Sequence, residues 1–252
     1  MTTGAASEPA PPAPAEQAGR ARSRDRRLAR SWSRTPDGKT YQRRLADGLA
    51  AAAGLAVLAV CGVVVARRLG AGTEAAVFRR INHWPEWLYP LLGSVQLAGV
   101  IGALPLAAAA AALLRRLRLA AALAAATVLK VGLEDSVKLI VHRHRPGETL
   151  PDVIVRGNAA THGLGFPSGH AMVIFAIAVL VSPYLKGWWH VLPWALAAAV
   201  CLSRLYLGAH FPLDVIAGAG LGTFIGATLN LVFGVPGNAP APPASVGNGA
   251  LR

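Results

Sequence analysis

From Leu45 onward the chain alternates long apolar runs with short polar breaks. Six runs come near the ~20 residues that a membrane-spanning helix needs. They are Leu45–Ala66, Leu88–Leu114, Leu119–Val141, Ala171–Leu185, Trp188–Leu207 and Leu213–Phe233. The fourth is short for a span and is expected to begin a few residues before Ala171. Trp84, Trp87 and Tyr89 gather at the start of the second run, and Trp188 and Trp189 open the fifth, as interfacial aromatics do. The pattern predicts an all-α membrane protein, a six-helix transmembrane bundle over residues 45–234. Tails of different character flank it over 1–44 and 235–252.

The N-terminal tail opens rich in Ala, Pro and Glu and turns Arg-rich from Arg20 to Arg44. Neither half shows apolar periodicity, so both are expected to be disordered and cytoplasmic. Arg26-Arg27 ahead of an apolar stretch has the look of an export signal. However, Arg67-Arg68 follows that stretch where the small residues of a cleavage site belong. The C-terminal tail is rich in Gly, Pro and Ala with almost no charge, and is expected to be flexible.

Composition agrees with the spans: 54% of residues are hydrophobic and 15% charged, outside the usual soluble range. A net charge of +13 would suggest nucleic acid if the cations formed a surface stripe. They fall instead in blocks at the ends of apolar runs, which argues against a nucleic-acid partner and for the bilayer. Cys61 and Cys201 lie inside apolar runs and read as two small buried residues rather than a disulfide or metal pair.

The blocks also orient the bundle. The basic tail, the loop with Arg115, Arg116 and Arg118, and the loop with Lys186 all fall on one side. The positive-inside rule then puts both termini in the cytoplasm of a multi-pass cell-membrane protein, with Arg67, Arg68, Arg79 and Arg80 as the minority on the other side.

Three clusters of ionisable residues interrupt or border the spans, where a charge in hydrocarbon costs several kcal/mol. They are Lys138 to Pro146, Gly165 to His170, and Ser203 to Asp214. With six spans, the third exits where the fourth enters and the fifth exits where the sixth enters. All three clusters then share the face opposite the basic tail and can build one site. Lys138, Arg145 and Arg204 supply three cations, two of them guanidinium forks suited to phosphate oxygens. Pro167-Ser168-Gly169 ahead of a helix offers a hydroxyl and free N–H groups at a positive helix end. His170 and His210 accompany this cage, and Asp214, one helical turn past His210, is expected to reach back and fix its tautomer. The inventory matches phosphoryl transfer in which one imidazole attacks, a second protonates the leaving oxygen and cations hold the equatorial oxygens. No carboxylate cluster for Mg²⁺ or Zn²⁺ is present, so the cations stand in for a metal and no cofactor is expected.

These motifs resemble the type 2 phosphatidic acid phosphatase family, which shares its site with vanadium haloperoxidases. The family pattern is Lys, six residues, Arg-Pro; then Pro-Ser-Gly-His; then Ser-Arg, five residues, His, three residues, Asp. Lys138 with Arg145-Pro146, Pro167 to His170, and Ser203-Arg204 with His210 and Asp214 fit every position. The resemblance implies His210 as nucleophile, Asp214 orienting it and His170 as general acid. It places Lys138, Arg145, Ser168, Gly169 and Arg204 around the phosphoryl oxygens and the site at the extracytoplasmic end of a six-helix bundle. The substrate implied is a membrane lipid phosphate or diphosphate, with polyprenyl and glycerolipid compounds both open. A lipid phosphotransferase, or a lipid-binding or transport protein without catalysis, is the alternative.

Several other polar residues are expected to serve structure. Lys130, Glu134 and Lys138 fall at successive i, i+4 positions, a ladder that orients Lys138. Gly218, Gly222 and Gly226 continue the row that starts at Asp214, a close-packing ridge. His142 and His144 read as exposed interfacial residues, and Arg156 and His162 as loop residues within reach of a headgroup.

Overall fold

The computed structural model describes residues 31–32 and 40–237. Most of the tail expected over 1–44, and the C-terminal tail from 238 onward, lie outside the described residues. The protein is mostly helical: α1 (Leu45–Ala66), α2 (Ala71–Asn82), α3 (Tyr89–Val95), α4 (Ala103–Leu113), α5 (Leu117–Ile140), α6 (Gly169–Val181), α7 (Leu192–Tyr206) and α8 (Pro212–Phe233). Three two-residue strands, β1 (Ser31–Trp32), β2 (Tyr41–Gln42) and β3 (Val235–Pro236), pair antiparallel in that order. They join the chain just before α1 to the chain just after α8.

α1 and α8 coincide closely with the first and sixth predicted spans. α6 begins before Ala171, as expected, and a 3₁₀ turn at Ser182–Tyr184 prolongs it. The second predicted span is not one rod. A 3₁₀ turn (Glu86–Leu88), α3 and a 3₁₀ stretch (Gln96–Gly99) lead into α4 across a 67° bend. At the break Val100 is extended and stands with Ile101 between two glycines, Gly99 and Gly102, a poor helical stretch. The amphipathic α2, with its charged residues, fills what was read as a connection.

Among the described residues two helices, α1 and α8, are long and apolar enough to cross a membrane, or three if the bent pair counts as one span. α5 has 24 residues, but Lys130, Glu134, Asp135 and Lys138 interrupt its apolar run. Leu49, Val60 and Val63 on α1, Leu106 and Leu113 on α4 and Leu139 and Ile140 on α5 all face outward. An apolar exterior of this extent suits a hydrocarbon surrounding, that of a membrane protein.

α8 is the packing centre, with α1 on one side, α6 on another and α5 also in contact. The predicted glycine ridge faces α6. A Cβ at Gly218 would stand 2.3 Å from the Ser168 carbonyl oxygen, and one at Gly222 2.3 Å from that of Met172. Across the α1 interface Gly54 and Gly220 meet in the same way, a Cβ on Gly54 falling 2.5 Å from the Gly220 oxygen. Small residues let the backbones touch and gain dispersion contacts where no water is available to drive association. Leu104, Leu123, Met172, Leu180, Leu221 and Ile225 fill the space between α4, α5, α6 and α8.

Candidate active site

Three connections converge at one end of the bundle, as the order of predicted spans implies. The segment after α5 meets the segment before α6 where the Gly165 N–H donates to the Arg143 carbonyl at 2.7 Å. The loop before α6 is tied to the first turn of α8 by the Ser168 N–H, which donates to the Asp214 carbonyl at 2.8 Å. Arg145 reaches the loop between α7 and α8, donating to the Ala209 carbonyl at 2.9 Å. Gly208, with φ of +81°, turns the chain out of α7 toward His210 where a side chain would strike the Ile154 carbonyl.

His210 is buried in this loop. Its Nδ1 lies 2.9 Å from the Gly165 carbonyl oxygen, an acceptor only, so Nδ1 carries the proton and Nε2 keeps its lone pair. Nη1 of Arg145 sits 3.2 Å from that Nε2. Burial pushes the imidazole well below its ordinary pKa, and the cations Arg145 and Arg204 push the same way; the Gly165 carbonyl opposes them. The ring is therefore neutral at neutral pH, with its Nε2 lone pair turned toward the Arg145 guanidinium.

Asp214 is placed differently from expectation. Its Oδ2 is 3.7 Å from His210 Nδ1, beyond a hydrogen bond. At the third position of α8, behind Pro212, the carboxylate folds onto its own helix start and accepts from the Phe211 N–H at 2.9 Å. Its other oxygen accepts from Arg143 at 2.9 Å. The Gly165 carbonyl, rather than the carboxylate, fixes the tautomer.

Around His210 stand donors that no group among the described residues satisfies. Nε of Arg145, Nε of Arg204 and Oγ of Ser168 are buried without a hydrogen-bond partner there. Ser168 precedes the first residue of α6, yet its hydroxyl makes no capping bond. Arg204 is held on its other side by the Gln96 carboxamide. Buried donors without acceptors are destabilising, by about 1–3 kcal/mol each and more when charged. Two guanidinium groups and a hydroxyl left open beside a helix N-terminus are matched by an anion with several oxygens.

The Lys130–Glu134–Lys138 ladder is present: Glu134 takes Lys130 at 2.5 Å and Lys138 at 2.6 Å. The carboxylate lies against Gly169, where a Cβ would stand 2.8 Å from both oxygens. That contact links Lys138 to the Ser168–His170 turn and explains a glycine at this position. His170 lies in the first turn of α6, within electrostatic reach of Arg204 and His210, and its imidazole makes no hydrogen bond among the described residues. Among the described residues no three His, Cys, Asp or Glu side chains are grouped so as to hold a metal ion.

Arg143, Glu74 and Gln96 touch these groups without having been singled out from the sequence. Gln96 in an otherwise apolar run was a readable signal; Glu74, far off in sequence, was not. Arg156 proves structural. It donates to the Asn82 and Tyr206 carbonyls at 2.7 Å, to the Trp84 carbonyl at 3.1 Å and to Glu86 at 2.9 Å, with its guanidinium over the Tyr206 ring. His142, His144 and His162 are exposed.

A family model described as the PAP2 superfamily matches residues 99–235, more than half of the chain. The decaprenylphosphoryl-5-phosphoribose phosphatase of Mycobacterium tuberculosis is 36% identical over 98 residues, 39% of this chain and 52% of that protein. The chain thus spans about half the length of the curated relatives it matches first. The crystal structure of Aquifex aeolicus LpxE superposes with a TM-score of 0.57 and 28% identity, covering 62% of this chain and 93% of that one. A Bacillus subtilis transmembrane PAP2 type phosphatidylglycerolphosphate phosphatase shares the fold, with a TM-score of 0.52 and 20% identity over 71% of this chain and 94% of that one.

Proposed function

We propose, from the premise that this chain belongs to the PAP2 superfamily, that it is an integral membrane phosphatase acting on a lipid phosphate or diphosphate through a phosphohistidine on His210. The observation that carries the reading is the set of buried donors unmatched among the described residues, Arg145 Nε, Arg204 Nε and Ser168 Oγ, beside a neutral imidazole whose Nε2 carries the lone pair. A phosphoryl group fits that arrangement by charge, by oxygen count and by the nucleophile beside it.

The lone pair on Nε2 attacks phosphorus while the bond to the lipid oxygen breaks. His170 gives that oxygen its proton, leaving the phosphoryl group on Nε2. Water then attacks the phosphohistidine, His170 takes the water proton, and phosphate leaves with His210 restored. Lys138, Arg145, Arg204, Ser168 and the Gly169 N–H hold the equatorial oxygens, so positive charge comes from side chains and no metal is required.

In this reading α1, the bent pair α3–α4, α5, α6, α7 and α8 form six crossings. Exposed apolar side chains on α1, α3, α4, α5, α7 and α8 support it. Both termini are cytoplasmic and His210 lies at the extracytoplasmic face. Arg116 and Arg118 support that orientation: they bind the Tyr184 and Phe233 carbonyls, at the ends of the helices remote from His210. Arg79, on the site side, is neutralised by Asp152 at 2.7 Å. A polyprenyl phosphate or diphosphate is the favoured substrate class, since the relative from M. tuberculosis is named for a decaprenylphosphoryl compound. Phosphate release from polyprenyl and glycerolipid phosphates, measured with the purified protein in EDTA, tests the proposal. Release that persists in EDTA, fastest from a polyprenyl compound, is expected. No release from any of them, or release only after Mg²⁺ is added, would overturn it.

A further inference from the structure

Asp214 belongs to a buried chain of charges that reaches a helix beyond the segment matched by the family model. Arg143 Nη1 donates to Asp214 Oδ1 at 2.9 Å and to Glu74 Oε1 at 3.2 Å, and Nη2 donates to Glu74 Oε2 at 2.5 Å. Glu74 Oε1 also accepts from the Leu213 N–H at 2.9 Å, next to Asp214 in the first turn of α8. The Arg143 guanidinium lies 4.5 Å from the centre of the Phe211 ring. Side-chain exposure is 9% for Glu74, 16% for Arg143 and none for Asp214, so water screens these charges little.

The geometry distributes two tasks. Pinned by the Phe211 N–H and by Arg143, the carboxylate of Asp214 keeps Oδ2 facing His210 Nδ1 at 3.7 Å. Arg143 alone would cancel the charge of Asp214. A second carboxylate, sharing Nη1 with Asp214 and also taking Nη2, brings Glu74, Arg143 and Asp214 to one net negative charge. When Nε2 attacks phosphorus the ring becomes positive, and part of that charge appears at Nδ1. A net negative cluster beside Nδ1 favours the charged ring over the neutral one and so acts on the transition state more than on the bound substrate.

We propose that Glu74 and Arg143 are positioning residues for phosphoryl transfer, which fix the Asp214 carboxylate against His210 and leave the trio with a single negative charge. The inference rests on the phosphatase reading above and assigns the reaction a contributor on α2. A purely structural strut between α2 and α8 would lower stability without separating kcat from KM.

The test uses the full chain in lipid vesicles, with phosphate release from a lipid phosphate followed over a range of substrate concentrations. Glu74→Gln keeps an acceptor for Leu213 but removes the charge. It should lower kcat by about tenfold or more, the usual range for groups that orient a reacting side chain, with KM within about twofold. Glu74→Asp should restore kcat to within about threefold of the natural protein, since it keeps the charge. The double variant Glu74→Gln with Arg143→Gln should be no slower than Glu74→Gln alone, because the pair acts as one unit. Unchanged kcat in Glu74→Gln, additive losses in the double variant, or a loss matched by the fall in folded protein would overturn the positioning role. If the natural chain releases no phosphate, the reading of the site falls and this inference with it. Turnover by the natural chain beside a fully active Glu74→Gln overturns the inference alone.

Discussion

α1 and α8 are each 22 residues long and apolar enough to cross a membrane, yet 17% of the most apolar stretch of α1 is buried against 61% of that of α8. α1 turns Leu49, Val60 and Val63 outward and meets the bundle closely at Gly54. α8 sets glycines on two sides, so that α6 and α1 can both press on its backbone. Its N-terminal turn carries Asp214 and directly follows His210. Apolarity decides that a helix enters the membrane, whereas the spacing of small residues decides whether it faces lipid or lies at the centre. The candidate site borders the central helix, where a buried charge such as Asp214 can find partners on several sides.

The largest effects should come from the residues at the head of α8 and of its neighbour α6. His210→Ala should abolish turnover on a lipid phosphate and on a nitrophenyl phosphate alike. His170→Ala should separate the two substrates, because a lipid oxygen needs a proton as it leaves and a nitrophenolate barely does. General acid catalysis contributes roughly 10²–10⁴-fold, so at least about a tenfold greater loss on the lipid substrate is expected in paired rate measurements. Equal losses would make His170 a binding residue.

The helices themselves give the next test. Gly218→Val forces a branched side chain into the Ser168 carbonyl, and overpacking of this kind costs about 1–3 kcal/mol. Activity should fall with stability, because the Ser168 turn must move. Gly48→Ala on α1 meets nothing within 4 Å and should be neutral or stabilising, by up to about 1 kcal/mol. Thermal unfolding of both variants in one detergent checks the contrast, and equal effects would break it.

The smallest effect concerns pH. Since the folded pKa of His210 is lowered, the ring stays neutral through the ordinary imidazole value of about 6.5. The acid limb of kcat/KM, corrected for ionisation of the substrate, should therefore appear below that value, with activity lost as falling pH protonates Nε2. Arg145→Gln removes a cation that disfavours the protonated ring. Its limb should move to higher pH, whatever the overall rate.

Much of this was legible in the sequence because it depends on periods and neighbours. Apolar runs locate α1, α5 and α8 to within a few residues. Spacing of i+4 exposes both the Lys130–Glu134–Lys138 ladder and the glycine ridge. The order of the predicted spans alone brings Lys138, Arg145, Ser168, His170, Arg204, His210 and Asp214 to one end. What was not legible depends on chain-distant geometry. The 67° break before α4 follows from a short Gly-flanked stretch that hydropathy averages away. The partner of the His210 Nδ1 proton is a backbone carbonyl, which no residue type announces. Glu74 reaches the site from α2, and nothing local in its neighbourhood marks it as a partner of Arg143.

The central claim is that His210 Nε2 takes the phosphoryl group. Rapid quenching of the purified protein during turnover of a ³²P-labelled lipid phosphate would trap that species. Attack by Nε2 predicts a label on the protein that is stable in base, labile in acid, mapped to His210 and absent from His210→Ala. Label on another residue, or label and turnover that persist in His210→Ala, would contradict it.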